Sequence, residues 1–305
     1  MIDEDSEESE ASKTEIDKIT ERIDEITSER PSHKEVLAFL KQVMTEQYKV
    51  KPGIAVDPVD IDKGLLEVKN KEGFPLVNRA DLKMDIPSAT SLFKGLCESL
   101  KQNEKISKDI ERITRAVDSG ELDFAELFDK AVREDRDYMR LVSDRLELQA
   151  GLLFFLAQNS LQPIFEAYAD KLKGYVDQEK WWRSYCPICG SKPVIAELIG
   201  AERKKFLVCS CCGYEWRFKR TQCPFCDNEQ AKSFKFFYTE QDGRAYRVET
   251  CQKCKKYIKT VDTEELEDEI IPAVEDMGTI HLDILAKKEG YTREVPPSGL
   301  NLEDL

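Results

Sequence analysis

The chain has 305 residues, a formal net charge of −14 from 46 Lys/Arg against 60 Asp/Glu, and 41% apolar side chains. That length accommodates two domains with separate cores, and the acidic balance argues against a protein whose whole surface grips nucleic acid or anionic lipid. The longest apolar run, Leu152 to Ala157, falls far short of the roughly 18 to 20 residues of a membrane helix, so no membrane partner is expected.

The N-terminus, Met1-Ile2-Asp3-Glu4-Asp5-Ser6-Glu7-Glu8, lacks the basic and apolar parts of a signal peptide, which predicts a cytoplasmic protein. Residues 1–12 read as a disordered acidic tail, and residues 13–180 as an all-α domain. Ile16, Ile19, Ile23 and Ile26 recur at three- and four-residue steps, as do Val36, Leu37, Leu40, Val43 and Met44 after Pro31-Ser32, giving two amphipathic helices. From Lys51 to Pro87 the pattern is broken by Pro52-Gly53, Pro58, Gly64, Gly73 and Pro75. This is a long irregular connection that wraps the helices or adds to a binding surface.

Ser88 is placed as the cap of one helix carrying Leu92, Phe93, Leu96, Leu100, Ile106, Ile110, Ile113 and Val117, ending near Gly120. Cys97 falls on its apolar side, as a small buried residue. Asp123 starts a helix with Phe124, Leu127, Phe128 and Val132. The stretch from Tyr138 to Gln158 turns fully apolar at Leu152-Leu153-Phe154-Phe155-Leu156, the mark of a central buried helix. Pro163 then fits the first turn of a further helix through Tyr168 to Leu172.

Eight of the ten cysteines form four C-x-x-C pairs: Cys186/Cys189, Cys209/Cys212, Cys223/Cys226 and Cys251/Cys254. This clustering fits the ligand arithmetic of two four-cysteine centres, and a reducing compartment favours metal over disulfide. Sulfur-only tetrahedral sites accept zinc or iron. Gly190 and Gly213 follow the first two pairs and permit the positive φ of a metal knuckle. Asp227-Asn228 serves after the third, and Lys255 is the weaker match after the fourth. Alternating strands join the knuckles: Val194, Ala196 and Leu198; Phe206 to Val208; Tyr214, Trp216 and Phe218. The order repeats from Phe234 to Tyr238, through an Asp242-Gly243 turn, to Tyr246-Arg247-Val248 and Tyr257-Ile258. Residues 181–221 and 222–262 therefore read as tandem metal-binding subdomains, and residues 263–305 as a C-terminal helix and tail. A hairpin brings the two knuckles of one copy together. That assigns Cys186, Cys189, Cys209 and Cys212 to one ion and Cys223, Cys226, Cys251 and Cys254 to the other, against a cross-braced pairing. Copies this small need the ion to fold.

Residues 180–262 hold 17 Lys/Arg against 9 Asp/Glu, a local balance of +8 that leaves −22 elsewhere. Arg203, Lys204, Lys205, Trp216, Arg217, Lys219 and Arg220 form the candidate partner-binding surface. With Tyr214 they also suggest a nucleic-acid-binding zinc ribbon as an alternative, although nucleic acid is not the favoured partner. A second alternative is a rubredoxin-like electron carrier or redox sensor, with Cys211 as an extra thiol. Cys211 is expected to point away from the ligand face. His33 and His281 are isolated in the sequence, no Gly-rich phosphate loop is present, and closed four-thiolate sites leave no open metal position. No enzyme is indicated.

The runs Tyr185-Cys186-Pro187-Ile188-Cys189-Gly190-Ser191-Lys192-Pro193, Cys209-Ser210-Cys211-Cys212-Gly213-Tyr214-Glu215-Trp216-Arg217 and Cys251-Gln252-Lys253-Cys254-Lys255-Lys256-Tyr257-Ile258-Lys259 together resemble the FdhE-like family of formate dehydrogenase accessory proteins. The closing segment Val274 to Leu285 with Gly290-Tyr291, and upstream Leu152 to Ala157 with Leu161-Gln162-Pro163, are similar to the same family. The likeness spans residues 150–292, and residues 70–150 more weakly. It implies an α+β protein, an all-α domain followed by tandem rubredoxin-like subdomains. It also implies a non-catalytic role in producing active formate dehydrogenase, with the catalytic subunit as partner.

Overall fold

A computed structural model describes residues 14–149, 151–266 and 270–295; the acidic tail expected over residues 1–12 lies outside them. Thr14 and Asp17 close a capping box at the head of α1 (Glu15–Glu29), whose Ile19, Ile23 and Ile26 are buried. A turn of 3-10 helix at Pro31–His33 leads into α2 (Lys34–Val50). The two helices share a core with Val274 and Met277 from the far end of the chain.

The segment after α2 is not wholly irregular. It contains α3 (Lys63–Glu72), capped by Asp62 and closed by Gly73 at φ 82°. Periodicity misses this helix because Leu65 and Val68 are exposed, so no buried stripe marks it. The segment then wraps onto the sheet region, where Leu76 and Val77 donate their N–H groups to the carbonyls of Pro187 and Ile188 at 2.8 and 3.0 Å.

The single helix expected from Ser88 to Val117 is two, α4 (Ile86–Leu100) and α5 (Ser107–Asp118). Asp85, not Ser88, is the cap; its carboxylate accepts from the Ser88 N–H at 3.1 Å. The break follows from the carbonyl of Asn103, which accepts from Ile106 and Ser107 in a turn. Cys97 is buried in α4, and burial pushes its thiol up to about 12. Asp123 caps α6 (Phe124–Val132), and α7 (Arg136–Arg145) follows.

The long apolar helix α8 (Leu152–Leu172) continues through Pro163 instead of restarting there. Proline offers no N–H to the carbonyl four residues back. That carbonyl, of Asn159, is instead met by Nε2 of Gln47 at 3.0 Å. Side chains from α2, α4, α6 and α8 make one core, which extends into the sheet region through Leu207 and Trp216.

The strands are β1 (Pro193–Ile199), β2 (Lys204–Cys209), β3 (Glu215–Phe218), β4 (Phe234–Phe237), β5 (Tyr246–Cys251), β6 (Lys256–Asp262) and β7 (Thr292–Arg293). They run in the order β3-β2-β1-β6-β5-β4, with β7 pairing β6. Within each cysteine repeat the pairing is antiparallel, but β1 and β6 pair in parallel through Ala196–Leu198 and Thr260–Asp262. The two repeats thus share one sheet. Val208 and Val248 pack with Leu282 and Ala286 in a second core.

The closing helix divides into α9 (Pro272–Gly278) and α10 (Ile280–Lys288). The Gly278 carbonyl is taken by Nη1 of Arg30 and Nδ1 of His33, each at 3.0 Å, so it does not continue the helical ladder. A Cβ at Gly278 would sit 3.0 Å from Ile26, which shows how closely α1 approaches. Buried ion pairs complete the seam. Arg22 grips Glu275 through Nε and Nη2 at 2.7 and 3.0 Å, and Lys259 meets Asp276 and Asp283 at 3.0 and 2.6 Å. Arg293 binds the same two carboxylates.

Candidate metal centres

Each C-x-x-C pair sits in a turn of the same shape. The residue after the second cysteine has positive φ in all four: Gly190 at 76°, Gly213 at 66°, Asp227 at 55° and Lys255 at 60°. The N–H of that residue returns to the carbonyl of the first cysteine, at 3.0, 3.2, 3.1 and 2.9 Å respectively. Lys255, which sequence chemistry makes the poorest candidate, adopts the same backbone as the others. Its carbonyl accepts from Thr292 at 2.9 Å, so β7 supports the fourth turn from outside.

These turns bring the sulfurs of Cys186, Cys189, Cys209 and Cys212 into one group, and those of Cys223, Cys226, Cys251 and Cys254 into another. The first and third pairs are not brought together. In the first group Cys186–Cys212, Cys189–Cys209 and Cys189–Cys212 lie 3.6, 3.4 and 3.6 Å apart. In the second, Cys223–Cys254 and Cys226–Cys251 are 3.7 and 3.8 Å apart. Four sulfurs about 2.3 Å from a central ion lie about 3.8 Å apart in a tetrahedron, whereas a disulfide needs about 2 Å. All ten cysteines are free thiols. Both groups fit a tetrathiolate ion with no open position.

The surroundings of the two groups differ. All four cysteines of the first are buried, while Cys226 and Cys254 of the second are half-buried. In the first, the neighbouring thiols, Cys186 foremost, pull Cys189 well below the usual thiol range, and burial pushes Cys209 up. The N–H groups of Cys211 and Cys212 donate to Sγ of Cys209 at 3.4 and 3.5 Å. Two outer partners escaped the sequence reading. Ser191 Oγ lies 3.4 Å from Sγ of Cys189, and Nδ2 of Asn228 donates to Sγ of Cys251 at 3.9 Å. Both stand two residues after the second cysteine of a knuckle, and that shared offset was the available signal.

Cys211 is not one of the four sulfurs of the first group. It lines a cavity with Arg79, and the neighbouring Cys189 pushes its thiol up.

The candidate partner-binding residues do not form one unpaired patch. Arg203 binds Asp262 at 3.1 Å and also Glu265, Lys204 binds Glu202 at 2.9 Å, and Lys219 binds Glu229 at 2.7 Å. Arg217 reaches Glu179 at 3.4 Å and lies over the Trp182 ring. Trp216 is buried, with Nε1 donating to the Arg183 carbonyl at 3.0 Å. Only Lys205 and Arg220 of this set meet, at a cavity beside the second cysteine group. No helix among the described residues is long and apolar enough to cross a membrane.

Comparison with known proteins gives a consistent result. The family model for the FdhE central domain matches residues 185–220, and that for the FdhE C-terminal domain matches residues 221–300. A protein FdhE homologue from Aquifex aeolicus is 33% identical over 165 residues, covering 52% of this chain and 57% of its own length. One from Edwardsiella ictaluri is 32% identical over 161 residues, covering 52% and 48%. The chain spans about half the length of these curated relatives. The crystal structure of the FdhE protein from Pseudomonas aeruginosa shares the fold, with a TM-score of 0.69 at 19% identity over 96% of this chain and 98% of that one.

Proposed function

We propose that this chain, an FdhE-like family member, is a non-catalytic accessory factor in the maturation of formate dehydrogenase or a related redox metalloenzyme. On this reading it acts in the cytoplasm and binds the catalytic subunit of its client. The observation that carries the reading is the pair of closed four-sulfur groups, lying within the residues that the two FdhE domain models match. Each group would hold one zinc or iron ion and fix the knuckles around it. A coordination shell filled by four thiolates has no place for a substrate or a water nucleophile, which supports a structural use of the ions.

The test is deletion of the gene. Formate-dependent dye reduction is expected to disappear while formate dehydrogenase transcripts persist, and the full chain is expected to restore it. Normal dye reduction in the deletion strain would reject the proposal.

A second reading rests on the half-buried Cys226 and Cys254. An iron ion behind exposed sulfur can exchange electrons, as a rubredoxin-like carrier or redox sensor would. An absorption spectrum after anaerobic purification separates the two, because zinc thiolates are colourless and ferric thiolates are not.

A further inference from the structure

β4 forms one end of the sheet: among the described residues no strand pairs with its outer side. On its inner side, Phe234 faces Cys251 and Phe236 faces Glu249 of β5. Residues two apart on a strand share a face, and here Phe234 and Phe236 wall a cavity of about 500 Å³ together with Phe225. Phe236 is 62% exposed, an unusual place for a large apolar side chain on a sheet edge.

The floor of this cavity is cationic. Lys205, almost fully buried, contacts Oε2 of Glu249 at 2.6 Å, and Arg247 contacts Oε1 at 2.6 Å. Two cations therefore share one anion. Arg220 adds positive charge, and Glu249 is the only carboxylate among the described lining residues. In a chain of net charge −14, this hollow is a local exception that combines aromatic walls with surplus positive charge.

We infer that the free edge of β4 receives an extended acidic segment of a partner polypeptide. The segment pairs with the β4 backbone and lays alternate side chains over the hollow, a carboxylate among them. Main-chain bonds supply affinity and the alternating side chains supply specificity, while the cationic floor selects the acidic member. Cys223 and Cys251 line the same hollow, so the ion that gathers their sulfurs also fixes its wall. The inference rests on the reading that the catalytic subunit of formate dehydrogenase is the partner.

The test uses the metal-loaded full chain with that subunit. Hydrogen exchange on the complex is expected to slow at the amides of Phe234–Phe237. Phe236→Asp and Arg220→Glu should each weaken the complex by about tenfold or more, as loss of an anchoring contact does, whereas Arg220→Lys should retain it. Unchanged metal content and circular dichroism show that the variants are folded. A photoreactive residue at position 236 should capture an acidic segment of the subunit. If the complex forms with β4 exchange and both disruptive variants unaffected, the edge is not the docking site and the accessory role stands. If no complex forms with the unaltered chain, the proposed partner falls and this inference falls with it.

Discussion

Gln47 donates from Nε2 to the main-chain oxygen of Asn159 at 3.0 Å, the carbonyl that Pro163 leaves without a helical partner. Gln47 is buried, so no water replaces it readily. Gln47→Leu should cost about 1 to 3 kcal/mol, the penalty of an unsatisfied buried polar group. Pro163→Ala in the same background should recover part of that loss by restoring the backbone bond. Urea denaturation of the two single variants and the double variant measures the coupling.

Lys259 is buried against Asp276 and Asp283. Removing one cation from a buried network leaves a carboxylate uncompensated, at about 3 to 5 kcal/mol. Lys259→Met should therefore destabilise the sheet and release α10, seen as faster amide exchange over Ile280–Lys288. Retention of wild-type exchange there would show that Arg293 alone holds both carboxylates.

Glu197 is buried on β1 with no hydrogen-bond partner for Oε1. Burial, aided by Glu215 and Glu275, pushes its carboxyl up to about 8. A raised carboxyl contributes stability that is full below its unfolded value of about 4.3 and is lost as pH rises toward the folded one. Glu197→Gln removes that loss. The variant should exceed the parent by about 2 to 4 kcal/mol at pH 8, with the gap closing near pH 4. Chemical denaturation across this range checks the sign as well as the size.

His33 and His281 stack with ring centroids 5.2 Å apart, and Nε2 of His281 meets Asp242 at 2.9 Å. Burial lowers His33, and the charges of His281, Arg30 and Lys259 lower it further against the Gly278 carbonyl. The unfolded chain then binds this proton first. Stability is complete above the ordinary value of about 6.5 and falls as pH drops from there toward the folded value. His33→Gln should flatten this acid limb of the stability curve, and an unchanged limb would assign the titration elsewhere.

The second metal centre should lose its ion before the first, because Cys226 and Cys254 are half-buried while the first four cysteines are buried in the core shared with the helices. Release to a chromogenic chelator is expected in two phases. Cys226→Ser should abolish the fast phase, and Cys189→Ser the slow one. A single phase for the unaltered chain would mean that the two centres open together.

The cysteine spacing and the alternating aromatics made both sulfur groups and most strands legible in advance, because ligand geometry and strand period are local properties. What stayed hidden depends on distant residues. Pro163 reads as a helix start until Gln47 meets the carbonyl it frees. Gly278 reads as helical until Arg30 and His33 take its oxygen. The parallel join of β1 with β6 has no local signature, since each strand alone fits an independent repeat. The ion pairs of the basic residues were hidden for the same reason: their partners, from Glu179 to Glu265, are scattered along the chain.

The clasp between Arg22 and Glu275 spans 253 positions, and this sets an order of events during synthesis. α1 leaves the ribosome long before Glu275 exists, so until translation has passed α9 the helix has only α2 to rest on and Arg22 only Glu25 of its own helix as a counter-ion. A product truncated before Pro272 would lack Val274 and Met277, leaving the core of Ile19, Ile23 and Ile26 covered by α2 alone and more open to proteolysis. The clasp thus closes only in a chain translated past α9.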